Sequence, residues 1–382
     1  MSCLHKIITA CWFALCCAAC GAALSAEPLN RLPPAISEAL NQAGIPESSI
    51  GLYVRDVQSP RPLLAFGDER PLNPASTIKL LTTFAALDQL GPAYQWTTQV
   101  FADGPMTGDA LIGDLILKGG GDPRLTLENF WLMLRALRAR GLREIRGDLV
   151  LDRSYFAVDE GNPAEFDNEP TRPYNTPPDA LLVNFKSIRL QFVPDVERQT
   201  LKILAEPPLA SVQVLNNVVL DNERCDDWLA RIKLTAPGDK NGARLLFSGS
   251  YSVACGEKER SYSVLGHAQY VHALFTYLWR ELGGPFAGGV RDGLLTAGAR
   301  PLLAYQTQPL AEVVRDINKY SNNVMAQQLF LTLSLQQQGL GRQGSSQDIV
   351  NRWWRERVAM APPVLDNGSG LSREERITPA AL

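Results

Sequence analysis

Ser76 and Lys79 stand three residues apart in Pro74-Ala75-Ser76-Thr77-Ile78-Lys79-Leu80-Leu81, which puts a hydroxyl and an amine one helical turn from each other. A serine hydroxyl attacks a carbonyl poorly until a group within hydrogen-bond reach takes its proton. A lysine desolvated among apolar neighbours is neutral enough to do so. The pairing therefore predicts an acyl-transfer nucleophile with an amine base. Pro74 and Ala75 precede Leu80 to Leu90, a run of mostly good helix formers, so Ser76 is expected at or near a helix N-terminus. Residues i and i+3 share a face there, and the helix dipole favours developing negative charge. By chance, Ser-x-x-Lys recurs about once in a chain of this length, so the spacing alone decides nothing.

Other chemistries fall away on composition. The histidines are His5, His267 and His272, and no Gly-x-Ser-x-Gly elbow accompanies the latter two, which read as partly exposed structural residues. Neither His-Glu-x-x-His nor a Cys-x-x-Cys pair survives beyond the leader described below, so no metal site is expected. Gly119-Gly120-Gly121-Asp122-Pro123 reads as a turn, because it lacks the Lys-Ser/Thr of a phosphate loop and the spacing of a dinucleotide fingerprint. With the leader removed, 36 basic residues face 40 acidic ones, and no basic stripe interleaved with aromatics suggests nucleic acid. A lysine-based serine hydrolase survives this elimination. Ser321-Asn322-Asn323 supplies a hydroxyl that could relay a proton and an amide that could hold a substrate carbonyl or the lysine; its bland reading is a helix cap.

Those groups need a scaffold. Residues 1–26 read as a secretory signal, with Lys6 at its start, an apolar Ile7 to Ala23 and a small-residue cut at Leu24-Ser25-Ala26. A lipid anchor through Cys16, Cys17 or Cys20 is the alternative. An exported, periplasmic chain is expected, with no stretch after cleavage long enough to span a bilayer. Cys225 and Cys255 are then the two remaining cysteines, and in an oxidising compartment they most simply form one disulfide. Strand-like runs fall at Ile50–Val57, Leu111–Leu117, Gly147–Leu151, Ile188–Val193, Ser211–Leu220 and Leu245–Val253. Helical periodicity is expected at His267–Leu282, Leu310–Gln337 and Gln347–Met360.

Taken together, Pro74-Ala75-Ser76-Thr77-x-Lys79, Gly120-Gly121-Asp122-Pro123, Tyr320-Ser321-Asn322-Asn323 and Asp366-Asn367-Gly368-Ser369-Gly370-Leu371-Ser372-Arg373 resemble the penicillin-binding protein and serine β-lactamase superfamily. Within it they resemble the D-alanyl-D-alanine carboxypeptidase/endopeptidases, the class C low-molecular-mass penicillin-binding proteins, along essentially the whole mature chain. The 242 residues from Lys79 to Ser321 fit a family that inserts two extra domains at that point. The resemblance implies an α/β fold, a transpeptidase-like domain with an antiparallel sheet flanked by helices. It assigns residues 27–95 with 280–382 to the catalytic domain, 96–175 with 261–279 to an inserted domain II, and 176–260 to an inserted β domain III holding Cys225–Cys255.

It further implies Ser76 as the acylated nucleophile, Lys79 as its base, and Ser321 and Asn323 as proton-relay and substrate-holding groups, with the Ser76 N–H as half of an oxyanion hole. Glu169, Tyr174 and Arg373 fall where family members recognise a diaminopimelate side chain, although Asp and Phe are usual at the first two. The plain alternative makes these three surface or domain-interface residues. The substrates implied are peptidoglycan stem peptides and cross-links, the inhibitors β-lactams, and no cofactor is implied. The family's Lys-Thr-Gly motif is not in this sequence, so the C-terminal strands are expected to be missing, and the chain as written is expected to be truncated, inactive and poorly folded. Two rivals stand beside this reading, a degenerate cell-wall-binding protein without turnover and a β-lactamase.

Overall fold

The computed structural model describes residues 30–157, 161–239, 242–358 and 360–382, which form two compact units. The leader read at 1–26 lies outside the described residues. In the first unit, the chain up to Leu72 joins Ile377–Leu382. Helix α1 (Pro34–Ala43) opens on a proline, whose missing N–H costs nothing in a first turn, and stops at Gly44 in the left-handed region, φ 67°. Leu52–Arg55 and Pro62–Phe66 form an antiparallel hairpin, and Leu72 bridges Ile377. The strand expected at Ile50–Val57 is thus present in shorter form, with a register shift between Val54 and Arg55.

The second unit, Asn73–Arg376, carries helices α2 (Ile78–Leu90), α3 (Leu127–Ala139), α4 (His267–Glu281), α5 (Leu310–Tyr320), α6 (Asn323–Gln338) and α7 (Gln343–Arg357). Helices α2, α5, α6 and α7 pack together, with α6 at the centre. Every residue of α6 from Val324 to Leu335 except Gln327 is buried, as expected of a helix surrounded on all sides. Its buried polar groups are matched: Gln328 accepts the Asp179 N–H at 2.9 Å and donates to the Asp179 carbonyl at 2.8 Å, and Thr332 Oγ1 accepts from Trp96 Nε1 at 2.9 Å. The single helical stretch expected over 310–337 is two helices, because Ser321 closes α5 in a left-handed conformation (φ 52°, ψ 40°).

Two larger sheets share one apolar core. The first has the order Val290–Asp292, Leu149–Asp152, Asp114–Lys118, Thr97–Asp103, Arg300–Gln306. Alternation dictates its register: in Thr97–Asp103 only Thr98, Val100 and Ala102 face inward. Gly119 and Gly120, at the end of one of its strands, lie so close to the carbonyls of Ala180 and Thr97 that a Cβ would sit 2.2 Å from each oxygen. That close approach accounts for the glycine cluster. The second sheet runs Ile232–Thr235, Gly242–Ser252, Val212–Asp221, Thr200–Glu206, Ile188–Asp195, Lys258–Tyr262, with Gly238–Asp239 paired to Gly242–Ser252. Helices α3 and α4 add Leu134, Phe275 and Trp279 to a core that continues through Phe192 and Phe247. Cys225 and Cys255 sit beside it with their Sγ atoms at bonding distance, 2.01 Å.

His267 and His272 both lie on α4. His272 meets the Gly288 carbonyl at 2.9 Å, whereas His267, expected to be partly exposed, is 4% exposed. Burial pushes its imidazole down to about 4, even with Asp179 3.3 Å away. Arg300–Gln306 pairs with Thr97–Asp103, and Val290–Asp292 with Leu149–Asp152. We therefore propose the three-part division read from the sequence with one boundary moved: residues 290–306 belong with the sheet of the 96–175 segment, and the chain returns to the helices at about Thr307.

Candidate active site

At the start of α2, Ser76 and Lys79 meet Asn323, which lies 244 residues beyond Lys79 in the sequence. Ala75–Thr77 forms a 3-10 turn that runs directly into the helix, so Ser76 and Lys79 share a face as their spacing predicts. The turn is held by Asn73, whose Oδ1 accepts the Ala75 N–H at 2.8 Å, and by Thr77, whose hydroxyl donates to the Pro74 carbonyl at 2.6 Å. Ala75 adopts φ 44°, a conformation that costs an L-residue about 1–3 kcal/mol and persists only where the surroundings impose it. Gly370 is part of those surroundings. Itself at φ 82°, it lies so near that a Cβ would stand 2.1 Å from the Ala75 carbonyl oxygen and 2.7 Å from the Ser76 nitrogen.

Ser76 is exposed, whereas Lys79 is 2% exposed. Lys79 Nζ lies 3.1 Å from Ser76 Oγ and 2.7 Å from Asn323 Oδ1, and it also donates to the carbonyl of Ser369. Burial lowers its pKa to about 8, opposed by the negative charge of Glu375. A neutral amine has two N–H groups and one lone pair. Asn323 Oδ1 and the Ser369 carbonyl can only accept, so they take the two N–H groups and leave the lone pair facing the Ser76 hydroxyl. An amine held this way can take the proton of that hydroxyl as it attacks a carbonyl.

The sequence elements differ in how they arrive here. Asn323 is the first residue of α6, and the capping role belongs to its neighbour Asn322, whose Oδ1 accepts the Met325 N–H at 3.0 Å. Ser321, at the left-handed joint between α5 and α6, is exposed, and among the described residues no hydrogen bond ties its hydroxyl to Ser76, Lys79 or Asn323. Asn318 on α5 locks that joint to α2, donating to Thr83 Oγ1 at 3.1 Å, and the Thr83 hydroxyl donates to the Lys79 carbonyl at 2.7 Å. The Ser369 carbonyl and Glu375 were not singled out by the sequence reading. The Gly368-Ser369-Gly370 triplet is the signal for the first, since paired glycines mark backbone approaching something closely. Glu375, inside Arg373-Glu374-Glu375-Arg376, has the look of a solvated charge run.

Arg373 lines a cleft of about 700 Å³ together with Phe166, Glu165, Gln327 and Asp366. Its guanidinium sits 4.4 Å from the centre of the Phe166 ring. The two other residues read from the sequence are elsewhere. Tyr174 donates its hydroxyl to Asp167 Oδ2 at 2.7 Å, and Glu169 meets Arg172 at 3.4 Å; neither lines that cleft. The aromatic ring next to Arg373 is thus that of Phe166.

Comparison with known proteins agrees with this architecture. Residues 32–382 match the D-Ala-D-Ala carboxypeptidase 3 (S13) family. The D-alanyl-D-alanine carboxypeptidase DacB of Haemophilus influenzae is 22% identical over 341 residues, 88% of this chain and 70% of that protein. A D-alanyl-D-alanine carboxypeptidase of Actinomadura sp. (strain R39) is 33% identical over 132 residues, 35% of this chain and 24% of that one. The crystal structure of penicillin binding protein 4 (dacB) from Haemophilus influenzae shares the fold, with a TM-score of 0.73 at 23% identity, covering 90% of this chain and 75% of that one. With its family match running from Leu32 to the last residue and its fold shared with a penicillin-binding protein, the chain belongs to the D-Ala-D-Ala carboxypeptidase 3 (S13) family.

Proposed function

We propose that the chain is a serine-type D-alanyl-D-alanine carboxypeptidase/endopeptidase that acts on peptidoglycan stem peptides and cross-links in the periplasm. The observation that carries this reading is the 3.1 Å contact between an exposed Ser76 hydroxyl and a buried Lys79 amine whose other partners are carbonyl oxygens. Ser76 Oγ attacks the carbonyl of a D-Ala-D-Ala terminus or of a D-Ala–diaminopimelate cross-link while Lys79 takes its proton. The tetrahedral oxyanion is met in part by the Ser76 N–H at the helix start, collapse expels the leaving amine, and water resolves the acyl-enzyme. Ser321, across the joint from Asn323, is the hydroxyl available to return a proton to the leaving amine once substrate bridges the gap. Arg373, stacked on Phe166, reads the carboxylate of the stem-peptide side chain, and Glu169 and Tyr174 brace the segment that carries Phe166 through Arg172 and Asp167. β-Lactams acylate the same serine.

The test is covalent labelling by a fluorescent penicillin, with the adduct mapped by mass spectrometry. Two forms are compared, the 382-residue chain and the same chain followed by a segment bearing Lys-Thr-Gly. An adduct on the peptide containing Ser76 supports the reading. A folded, extended form that takes no label favours the cell-wall-binding alternative. Asn323→Ala removes one of the two carbonyl acceptors of Lys79, and the acylation rate constant is expected to fall about tenfold to hundredfold with little change in melting temperature. Stopped-flow penicillin acylation measures the first and thermal unfolding the second.

A further inference from the structure

Glu375 is a buried carboxylate, 0% exposed, that the reaction above does not use. Its Oε1 accepts the backbone N–H groups of Gly368 at 3.0 Å and Asp366 at 3.3 Å, and the Gly370 N–H lies near enough to favour the charged carboxylate. These belong to the segment whose Ser369 carbonyl receives Lys79 Nζ. Thr82 on α2 clamps the same segment by donating to the Gly368 carbonyl at 2.7 Å, and Gln327 on α6 donates to Ser369 Oγ at 3.2 Å. Among the described residues Glu375 Oε2 has no hydrogen-bond partner, a costly arrangement for a carboxylate so deeply placed.

We propose that Glu375 is a positioning residue for Lys79: its carboxylate fixes the Asp366–Gly370 segment so that the Ser369 carbonyl holds the amine on Ser76, and it places a buried negative charge beside that amine. The inference rests on Ser76 and Lys79 being nucleophile and base. Among the described residues two charged groups face this carboxylate. Lys79 faces it from α2 and Asp366 from the held segment. On its own stretch of chain, Arg376 turns to the carbonyls of Arg373 and Glu375, and Arg373 lies over Phe166. Burial raises the Glu375 carboxyl above its usual range while the three N–H groups pull it back, and its charge in turn raises the proton affinity of Lys79.

Glu375→Gln keeps an oxygen for the Gly368 and Asp366 N–H groups and removes the charge, whereas Glu375→Ala removes both. In the labelling-competent form, Glu375→Gln is expected to retain its melting temperature and to move the rising limb of the acylation pH profile toward acid by about half to one pH unit. Glu375→Ala is expected to acylate on the order of tenfold more slowly or worse at every pH, because the carbonyl under Lys79 is no longer fixed. The inference is overturned if Glu375→Ala acylates like the parent, or if both variants keep the parent limb and lose rate only in step with melting temperature. Ser76→Ala run alongside separates the two readings. Label that persists on it removes the nucleophile assignment itself, and label that depends on Ser76 but ignores both Glu375 variants removes only the role of Glu375.

Discussion

Ser76→Ala is expected to abolish penicillin labelling and to reduce release of D-alanine from a stem peptide by a factor on the order of 10⁴ to 10⁶, the scale on which removal of a nucleophile acts. The fold has no stake in this hydroxyl. Ser76 is exposed, among the described residues its Oγ is hydrogen-bonded to Lys79 alone, and the turn that carries it is held by Asn73 and Thr77. Melting temperature therefore stays close to that of the parent, as for other surface substitutions. A gel of the labelled variant beside its parent, with thermal unfolding as the control, reads both outcomes. Residual label on the variant, found by mass spectrometry at Ser321 or Ser369, would place the nucleophile elsewhere and end this assignment.

Lys79→Met is the second large effect. Methionine fills a similar buried volume without an amine, so acylation is expected to fall by about 10³- to 10⁴-fold while Ser76 stays in place. The pH dependence is the sharper readout. With a pKa lowered to about 8, roughly one amine in ten is neutral at pH 7, against about one in three thousand at the ordinary value of 10.5. Acylation by the parent should climb with pH through a limb near 8 and level off above it, and Lys79→Met should lack that limb. The sign for stability follows from the same depression. Between about pH 8 and 10.5 the unfolded chain still binds the proton that the folded one has released, so the contribution of this group to stability rises with pH across that window. A parent profile that is flat from pH 6 to 9 would remove Lys79 as the base.

Much of this site was legible because it is written in side chains at fixed spacings. Ser76 and Lys79 follow from one helical turn, and Asn323 from the Ser-x-Asn spacing at 321–323. The unread part lies in backbone. Ser369 contributes a carbonyl, which any residue carries, and what marks it is only the glycine on either side. Glu375 was hidden by its neighbours, since three charged residues around a fourth suggest solvent while the fold turns that one inward. Glu169 and Tyr174 are marked by the family resemblance alone, and no spacing in the sequence shows that their side chains meet Arg172 and Asp167 or that Phe166 lies against Arg373. In the fold, long alternating runs announced themselves, as with Ile188–Val193, which the strand Ile188–Asp195 extends by two residues. Val290–Asp292 is three residues long between glycines, and Arg300–Gln306 carries a proline with a register shift beside it, so neither had the length or regularity that marks a strand.

The approach of Gly370 to the Ala75–Ser76 peptide bears on how this sequence can drift. On the proposed mechanism position 76 needs a serine for its hydroxyl, whereas position 370 needs a glycine because it must have no side chain. An added methyl there would meet the Ala75 carbonyl oxygen at 2.1 Å and push on the peptide that carries Ser76. Two sites nearly three hundred residues apart are thereby bound to a common fate. A lineage abandoning the chemistry would be released from both constraints at once, and loss of the glycine would be as legible a mark of that abandonment as loss of the serine.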